Sequence, residues 1–505
     1  MNKSSVNLRL MGGLMGCLAG ALGGLLGGCA VGPDYTRPDV PVPPQYKELP
    51  GWTAAAPADA APKGDWWTDF HDPLLDQLEP MVAVSNQTVR QDYANYQQAL
   101  AEVTVARAQL FPSFGLTGSV TRSGGGSSGS AVGAATGGSN VVSAGSLEGN
   151  ASWTLDIWGK VRRQVEQNSD IAQADEATLA NATLSEQTLL ATTVIELRLA
   201  DADIDLQQQT VDAYREALRI VEAQGAAGIT ATPPSAVITA RVALETADAN
   251  LTGLGVARAQ YAHAIAVLVG KNPEELDIPH STVMPTLPVV PAGVPSTLLQ
   301  RRPDIAIAER TMAAQNAAVG VAVAAYYPTI SLSAADGFSQ SPLDGLLRAA
   351  NHVWSIGANG SETLFDFGAR SADVAAAKAA YEGAVANYRG TVLSAFQAVE
   401  NDLSGLRILA EQSQKLDLAV NDAIHGTRIA LAEFQAGTVD YTTVAQAQQT
   451  QLGDQQSALS VQQSRLLDAV SLIGDLGGSW SDGALHDPRH PDKPAPADTP
   501  VAATP

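Results

Sequence analysis

Trp153-Thr154-Leu155-Asp156-Ile157-Trp158-Gly159-Lys160 has a counterpart further along the chain, Glu362-Thr363-Leu364-Phe365-Asp366-Phe367-Gly368-Ala369-Arg370. The two glycines stand 209 residues apart. Upstream of each lies an aromatic-proline step, Phe111-Pro112-Ser113-Phe114 and Tyr327-Pro328-Thr329-Ile330, with the prolines 216 apart. Downstream, Ala227-Gly228 matches Ala436-Gly437, again at a separation of 209. The chain is therefore one unit written twice, each with a pair of strands and long helices in the same order. A repeat of this kind constrains the fold more than any single motif does.

The residues between the paired motifs show a period of two. Phe114, Leu116, Gly118 and Val120 alternate with Gly115, Thr117, Ser119 and Thr121. Leu147, Gly149, Ala151, Trp153, Leu155 and Ile157 alternate with Glu148, Asn150, Ser152, Thr154 and Asp156. In the second unit Ile330, Leu332 and Ala334 alternate with Ser331 and Ser333, and Trp354, Ile356, Ala358 and Gly360 with Ser355, Gly357, Asn359 and Ser361. One face is apolar and the other small and polar, as in a membrane barrel with lipid outside and water inside. A half-buried soluble sheet has the same alternation, so the pattern alone does not separate the two. The Gly/Ser stretch Ser123–Gly145 reads as a mobile loop joining the first pair.

After each strand pair the period changes to seven. Leu190, Leu197, Ile204, Val211 and Leu218 recur strictly, as do Leu254, Tyr261 and Leu268. In the second unit Val374, Tyr381 and Tyr388, then Val385, Val392 and Val399, then Leu452, Leu459, Leu466 and Ile473 do the same. Sustained heptads indicate coiled-coil packing. The stretch from Val161 to Gln224 reaches roughly 95 Å at about 1.5 Å per residue, far more than a globular domain needs.

Four strands cannot close a barrel wide enough to hold water. In lipid, the open edges would expose N–H and C=O groups at several kcal/mol each. Closure thus requires strands from other copies of the chain, and the helical seams likewise need neighbours. The number of copies is not written in the pattern.

Residues 1–28 begin with Lys3 and Arg9 and continue into a glycine-diluted apolar run, which reads as a secretory signal. It ends in Leu26-Gly27-Gly28-Cys29, which looks like a bacterial lipobox with Cys29 as the lipid-carrying residue. Several acyl chains at about 0.8 kcal/mol per buried CH₂ make a firm anchor. Residues 29–65 read as a lipid-anchored, Pro/Ala-rich extended segment, 66–275 as the first repeat, 276–300 as a connector, 301–480 as the second repeat and 481–505 as a disordered tail. His486 and His490 fall in that tail as solvated residues.

Composition narrows the function. A net charge of −22 argues against a nucleic-acid partner, because phosphate binding needs a basic surface. The two cysteines, Cys17 and Cys29, form no disulfide framework or zinc set. The seven histidines are scattered, and HExxH, GxSxG, P-loop and dinucleotide fingerprints are absent from the sequence, so an enzyme is disfavoured and no cofactor is expected beyond the lipid on Cys29.

Four motifs carry a family resemblance. They are Cys29-Ala30-Val31-Gly32-Pro33-Asp34-Tyr35; Trp66-Trp67 with Phe70, Asp72-Pro73 and Leu74; Arg301-Arg302-Pro303-Asp304-Ile305 with Ala308-Glu309; and Gly477-Gly478-Ser479-Trp480. In this order they resemble the outer membrane factor family of efflux channels, in the lipoprotein branch serving resistance-nodulation-division pumps. The resemblance implies a homotrimer with a twelve-stranded barrel, a helical periplasmic tunnel and a mixed equatorial belt. It further implies a periplasmic adaptor, an inner-membrane pump and an outer-membrane location. Trp66, Trp67 and Arg302 are then expected to brace the belt. An outer-membrane duct for type I protein secretion and a coiled-coil scaffold without a pore are the alternative readings.

Each repeat breaks its helices at an equivalent place, Gly225 to Pro234 and Gly437 to Tyr441. Pro233-Pro234 cannot continue a helix. Gly437 can take the left-handed turn that ends one, and Asp440 can cap the next. By resemblance, Gly228 and Gly437 mark adaptor-contacting tips. Asp440, Tyr441 and Gln446, with Arg241 opposite in the first repeat, are then candidates for lining the periplasmic aperture. Gln446 stands where the family often has a carboxylate, which favours a gate held by hydrogen bonds. The alternative reading makes Asp440 a helix cap and Gln446 a coiled-coil surface residue.

Overall fold

The computed structural model describes residues 30–43, 45–48, 65–125, 140–227, 234–281, 283–290 and 299–489. Cys29, Gly228, His490 and the proline Pro233 lie outside them.

Each repeat opens with a short helical approach. In the first, α1 (Pro73–Ser85) and α2 (Gln87–Ala108) lead to the strands β1 (Ser113–Gly125) and β2 (Asn140–Leu155). Two helices follow, α3 (Lys160–Ala226) and α4 (Pro234–Leu268). In the second, α5 (Pro303–Ala324) leads to β3 (Thr329–Gln340) and β4 (His352–Ser361), then to α6 (Ala369–Gln435) and α7 (Tyr441–Asp475). The repeat extends to length: α3 and α6 both have 67 residues, α4 and α7 both 35. At about 1.5 Å per residue each long helix spans roughly 100 Å.

The strands form one antiparallel sheet in the order β1-β2-β3-β4. They run further than the alternation alone suggested. β1 continues to Gly125 and β2 resumes at Asn140, so both ends of the Gly/Ser stretch are paired backbone, with Gly125 opposite Asn140. Glycine and serine leave no periodic side-chain signal, but their backbone groups still complete a ladder once a neighbour is present. Among the described residues no helix is long and apolar enough to cross a membrane.

The main core sits midway along the helices. Trp66, Trp67, Phe70, Leu75 and Leu78 pack with Leu190, Val194, Ile195 and Leu197 of α3, Val399 and Leu403 of α6, and Leu466 and Leu472 of α7. The heptad residues Leu190, Leu197 and Val211 are fully buried, whereas Ile204 and Leu218 are only partly covered. Three charge clamps lock this belt. Asp72 caps α1 through Leu74 N at 2.7 Å and receives the Arg198 guanidinium at 2.8 and 3.2 Å. Asp201, fully buried, accepts from Arg258 Nε at 2.6 Å and Ser281 N at 3.0 Å, with His280 Nδ1 also at 3.0 Å. Arg302 holds Asp304 at 2.7 Å and Asp475 at 3.0 Å, tying the start of α5 to the end of α7.

The described parts of both terminal segments dock. The Pro-rich N-terminal segment is extended, but it lies along the helices through Arg163–Asp34 at 2.7 Å and Arg37 Nε donating to Tyr388 Oη at 3.0 Å. Further along it Tyr46 is 2% exposed, and the Glu400 carboxylate accepts from Lys47 N at 2.6 Å and Glu48 N at 3.0 Å. The expectation of a disordered tail from 481 needs correction over its first nine residues. A 3-10 turn forms at Asp482–Ala484, His486 pairs with Glu176, Gln173 donates to the His486 carbonyl at 2.9 Å, and Arg107 donates to the Pro488 carbonyl. The partners lie more than 300 residues upstream, so local composition could not reveal them. Residues 490–505 lie outside the described residues.

Candidate functional site

The sheet has two chemically distinct faces. Along one, Phe114 (80% exposed), Leu116, Val120, Trp354 and Ile356 stand open. The register lines Phe114 up with Ala151, Ala334 and Ile356, and Leu116 with Gly149, Asp336 and Trp354. Asp336, Gln340 and His352 are polar exceptions on this face, and His352 lies 2.8 Å from the Asp336 carboxylate. The other face is small and polar. Ser113 meets Ser152 and Ser119 meets Ser146, each hydroxyl to hydroxyl at 2.8 Å. Glu148 supplies the charge on this face, opposite Thr117 and Gly337. A wall with apolar rows outward and hydroxyls, amides and one carboxylate inward can separate lipid from water.

Strand-to-helix junctions connect this sheet to the long helices. Asp156 accepts from Val161 N at 2.9 Å, Arg162 N at 3.0 Å and Arg162 Nε at 3.2 Å. Asp366 does the same in the second repeat, taking Arg370 Nε at 2.6 Å and Gly368 N at 3.0 Å. The Arg370 guanidinium holds the Asp366 carboxyl below the usual carboxylate range.

At the far end, α6 closes in a Schellman turn. Gly437 takes a left-handed φ of 74°, with its N–H on Phe434 O at 3.0 Å and the Thr438 N–H on Glu433 O at 3.0 Å. Asp440 caps α7, accepting from Thr443 N at 3.2 Å and Thr442 Oγ1 at 2.5 Å, and the Thr442 hydroxyl leads in holding its carboxyl low. Both local devices follow the sequence reading.

The four aperture candidates do not converge. Tyr441 turns inward, 1% exposed, edge-to-face with Phe434 at 5.8 Å. It sits among Val444, Ala430, Ala217, Val221, Ala236 and Ala240, so the two hairpin tips of one chain share a small core. Its hydroxyl has no partner, and burial with Tyr214 nearby pushes the phenol up to about 12. Asp440 and Gln446 are exposed. Arg241 pairs with Glu222 of its own hairpin at 3.2 Å instead of facing the second repeat. The periodic apolar spacing around Phe434, Tyr441 and Val444 was the signal that Tyr441 belongs to a core. Gly228 lies outside the described residues.

Sequence reasoning passed over one buried and one half-buried carboxyl of the belt. Glu79 is 0% exposed, neither oxygen has a partner, and burial pushes it up to about 9. Asp402 is pushed up to about 8 by burial and by the neighbouring Asp475 and Asp468 carboxylates. An isolated acidic residue on an amphipathic helix offers no sequence sign of burial. Among the described residues no group of His, Cys, Asp and Glu has the makings of a metal site.

Comparison with known proteins supplies the context. The model of the outer membrane efflux protein family matches residues 80–271 and 294–478, one segment in each repeat. The toluene efflux pump outer membrane protein TtgC of Pseudomonas putida is 30% identical over 455 residues, 90% of this chain and 93% of that protein. The cation efflux system protein CusC of Escherichia coli is 27% identical over 455 residues, 90% and 96% of the two chains. The solved structure of the outer-membrane channel OprN superposes with a TM-score of 0.82 at 28% identity, over 89% of this chain and 99% of that one. The doubled strand-and-helix unit, its two-faced sheet and these matches over both halves establish that the chain belongs to the outer membrane efflux protein family, the outer membrane factors.

Proposed function

We propose that this chain is the outer-membrane channel of a tripartite efflux system, a passive exit duct filled from the periplasm by an adaptor and an inner-membrane pump. The observation that carries the reading is the sheet. It has four strands, a bare apolar face, a hydroxyl-lined face and two open edges. Each unpaired backbone group of an edge in lipid costs several kcal/mol, so the sheet is stable in a bilayer only within a closed barrel. Three copies, four strands from each, make a water-filled barrel of the kind expected for the family. The long helices continue that duct over roughly 100 Å.

Lipid on Cys29 fits the path of the N-terminal segment. Val31 N donates to Trp158 O at 3.1 Å, and Ala30 lies against Gly159 where strand gives way to helix. That is the depth at which acyl chains on the preceding residue would enter the bilayer. One relative is named for toluene efflux and another for cation efflux, which supports a duct that leaves the choice of substrate to the pump. Gly437 and its neighbours, exposed at the far tip, are the surface offered to an adaptor.

Purified protein in detergent is expected to give a trimer by native mass spectrometry, with acyl mass on the Cys29 peptide, and to form channels in planar bilayers. A stable, folded monomer without conductance would overturn the reading.

A further inference from the structure

Asp201 and Asp205 stand one turn apart on the same side of α3. Like charges at that spacing repel each other on a helix, so the pair calls for a cation. Arg258 of α4 supplies one to Asp201, donating from Nε at 2.6 Å, and Ser281 N donates to the other Asp201 oxygen at 3.0 Å. Asp205 has no such arginine. Among the described residues its carboxylate meets one partner, the ring of His280.

His280 belongs to the connector that follows α4 and comes directly after Pro279. Its ring fits between the two carboxylates. Nδ1 is 3.0 Å from Asp201 Oδ1, and Nε2 is 2.9 Å from Asp205 Oδ1. An ionised carboxylate only accepts, so each contact is a hydrogen bond only when the facing ring nitrogen carries a hydrogen. The imidazolium carries both. A neutral ring has a single N–H and sets a lone pair against one of the two carboxylates. The ring also reaches solvent: its side chain is 42% exposed, while Asp201 is fully buried. Protons can therefore come and go without the fold opening, and histidine as a residue type titrates between about pH 5 and 8.

The charged groups around the ring are few. Arg258 is committed to Asp201 and to the Ile278 carbonyl at 3.0 Å. Asp417 of α6 and Arg465 of α7 lie on the walls of the cleft that Asp205 lines, and Asp277 precedes the ring on its own segment. That cleft holds about 720 Å³ between α3, α6 and α7, and Pro285 and Leu287 of the connector close one side of it. Leu466 belongs both to the cleft and to the belt core, so the connector at His280 covers the boundary between belt and hairpins. On either side of His280 the connector is held by other means, Ile278 by burial and Thr286 N by donating to Phe70 O at 2.9 Å.

We propose that His280 is a proton-operated staple: as an imidazolium it bridges Asp201 and Asp205 and pins the connector across the boundary between belt and hairpins, and on losing its proton it lets go of one carboxylate, so that the connector loosens and the cleft beside Asp205 opens. The device belongs to the folded chain and does not depend on the duct reading. Its sign follows from charge. The bridge is complete at low pH and is lost as the ring is deprotonated.

Hydrogen–deuterium exchange of the full-length protein in detergent tests it, with rates corrected for the intrinsic pH dependence of exchange. Peptides covering 276–290 are expected to open roughly tenfold more readily at about pH 8 than at about pH 5, the order of one charge-assisted hydrogen bond lost. His280→Gln cannot titrate and should exchange alike at both pH values. Asp205→Asn is the sharper variant. Its amide accepts from a ring N–H and donates to a bare ring nitrogen, so the connector should stay protected in both states. Glu79→Gln, which removes a buried titrating group of the belt, should leave this local step in place. Absence of the step in the wild-type protein, its survival in His280→Gln or in Asp205→Asn, or its loss in Glu79→Gln would overturn the staple.

Discussion

The equatorial belt and the hairpin tips are made from the same four long helices and are held by different means. The belt buries Trp66, Trp67, Phe70 and a layer of leucines, with the Asp72–Arg198 pair sealed inside and the buried Asp201 held by the half-buried Arg258. The tips share a small core of Ala217, Val221, Ala236, Ala240 and Ala430 around Phe434 and Tyr441. Alanine contributes little apolar area, so separating the tips costs far less than opening the belt. The difference separates the two regions: the belt is the most firmly held part of the chain, and the tips belong to its low-stability end.

The largest expected effect tests the belt. Arg198→Ala leaves Asp72, whose side chain is 1% exposed, buried without its cation. Removing one partner of a buried pair costs about 3–5 kcal/mol. Thermal unfolding of the assembled protein should show a large drop and poor recovery of oligomer. A wild-type melt would mean that the belt is not the fixed element.

A second experiment uses pH on the same region. Burial raises Glu79 from 4.5 to about 9, so the folded belt holds a proton that the unfolded chain releases. The sign follows from that: its contribution is fully present below about pH 4.5 and is lost as pH rises toward 9, on the order of 3 kcal/mol by pH 7. Asp402, raised to about 8, acts in the same direction. Stability should therefore fall from pH 5 to 9, and Glu79→Gln should flatten the slope. An unchanged slope in that variant would place the titration elsewhere.

At the tips the effect is smaller for stability and larger for conduction. Tyr441→Ala with Gln446→Ala removes a ring from an alanine-rich core, a local loss of up to about 3 kcal/mol. Single-channel conductance is expected to rise while the melting of the belt stays put. Wild-type conductance in a correctly assembled trimer would locate the gate away from these residues. Asp440→Ala should loosen the start of α7 with a weaker rise, since only a cap is lost.

The smallest expected effect is at the opposite end. Shortening the segment 126–138 should alter neither melting nor conductance. A change in either would give that segment a part in the duct.

Much of this was legible in the sequence because it is local or periodic. The heptads marked four helices, and the offsets of 209 and 216 marked two repeats whose helices match in length. The Schellman turn at Gly437 and the cap at Asp440 were readable because each device closes within a few residues. Alternation from Phe114 to Val120 identified a two-faced sheet but faded in the Gly/Ser stretch, where strands continue on backbone pairing alone.

Other features depend on residues far apart in the chain. Tyr441 was readable as a tip residue, yet only the packing of Ala217 and Ala236 against it turned it inward. Arg241 faced a choice of carboxylates, and the α3–α4 hairpin supplied Glu222. The segment after Ser481 looked like tail because its partners Glu176, Gln173 and Arg107 belong to the first repeat. By itself, then, the sequence determined the doubled unit, its element types and their lengths, since covalent spacing and side-chain period suffice for these. Which of several possible partners each charged or aromatic side chain meets was decided by the tertiary structure, because burial and pairing are set by groups brought together only when the two repeats fold against each other.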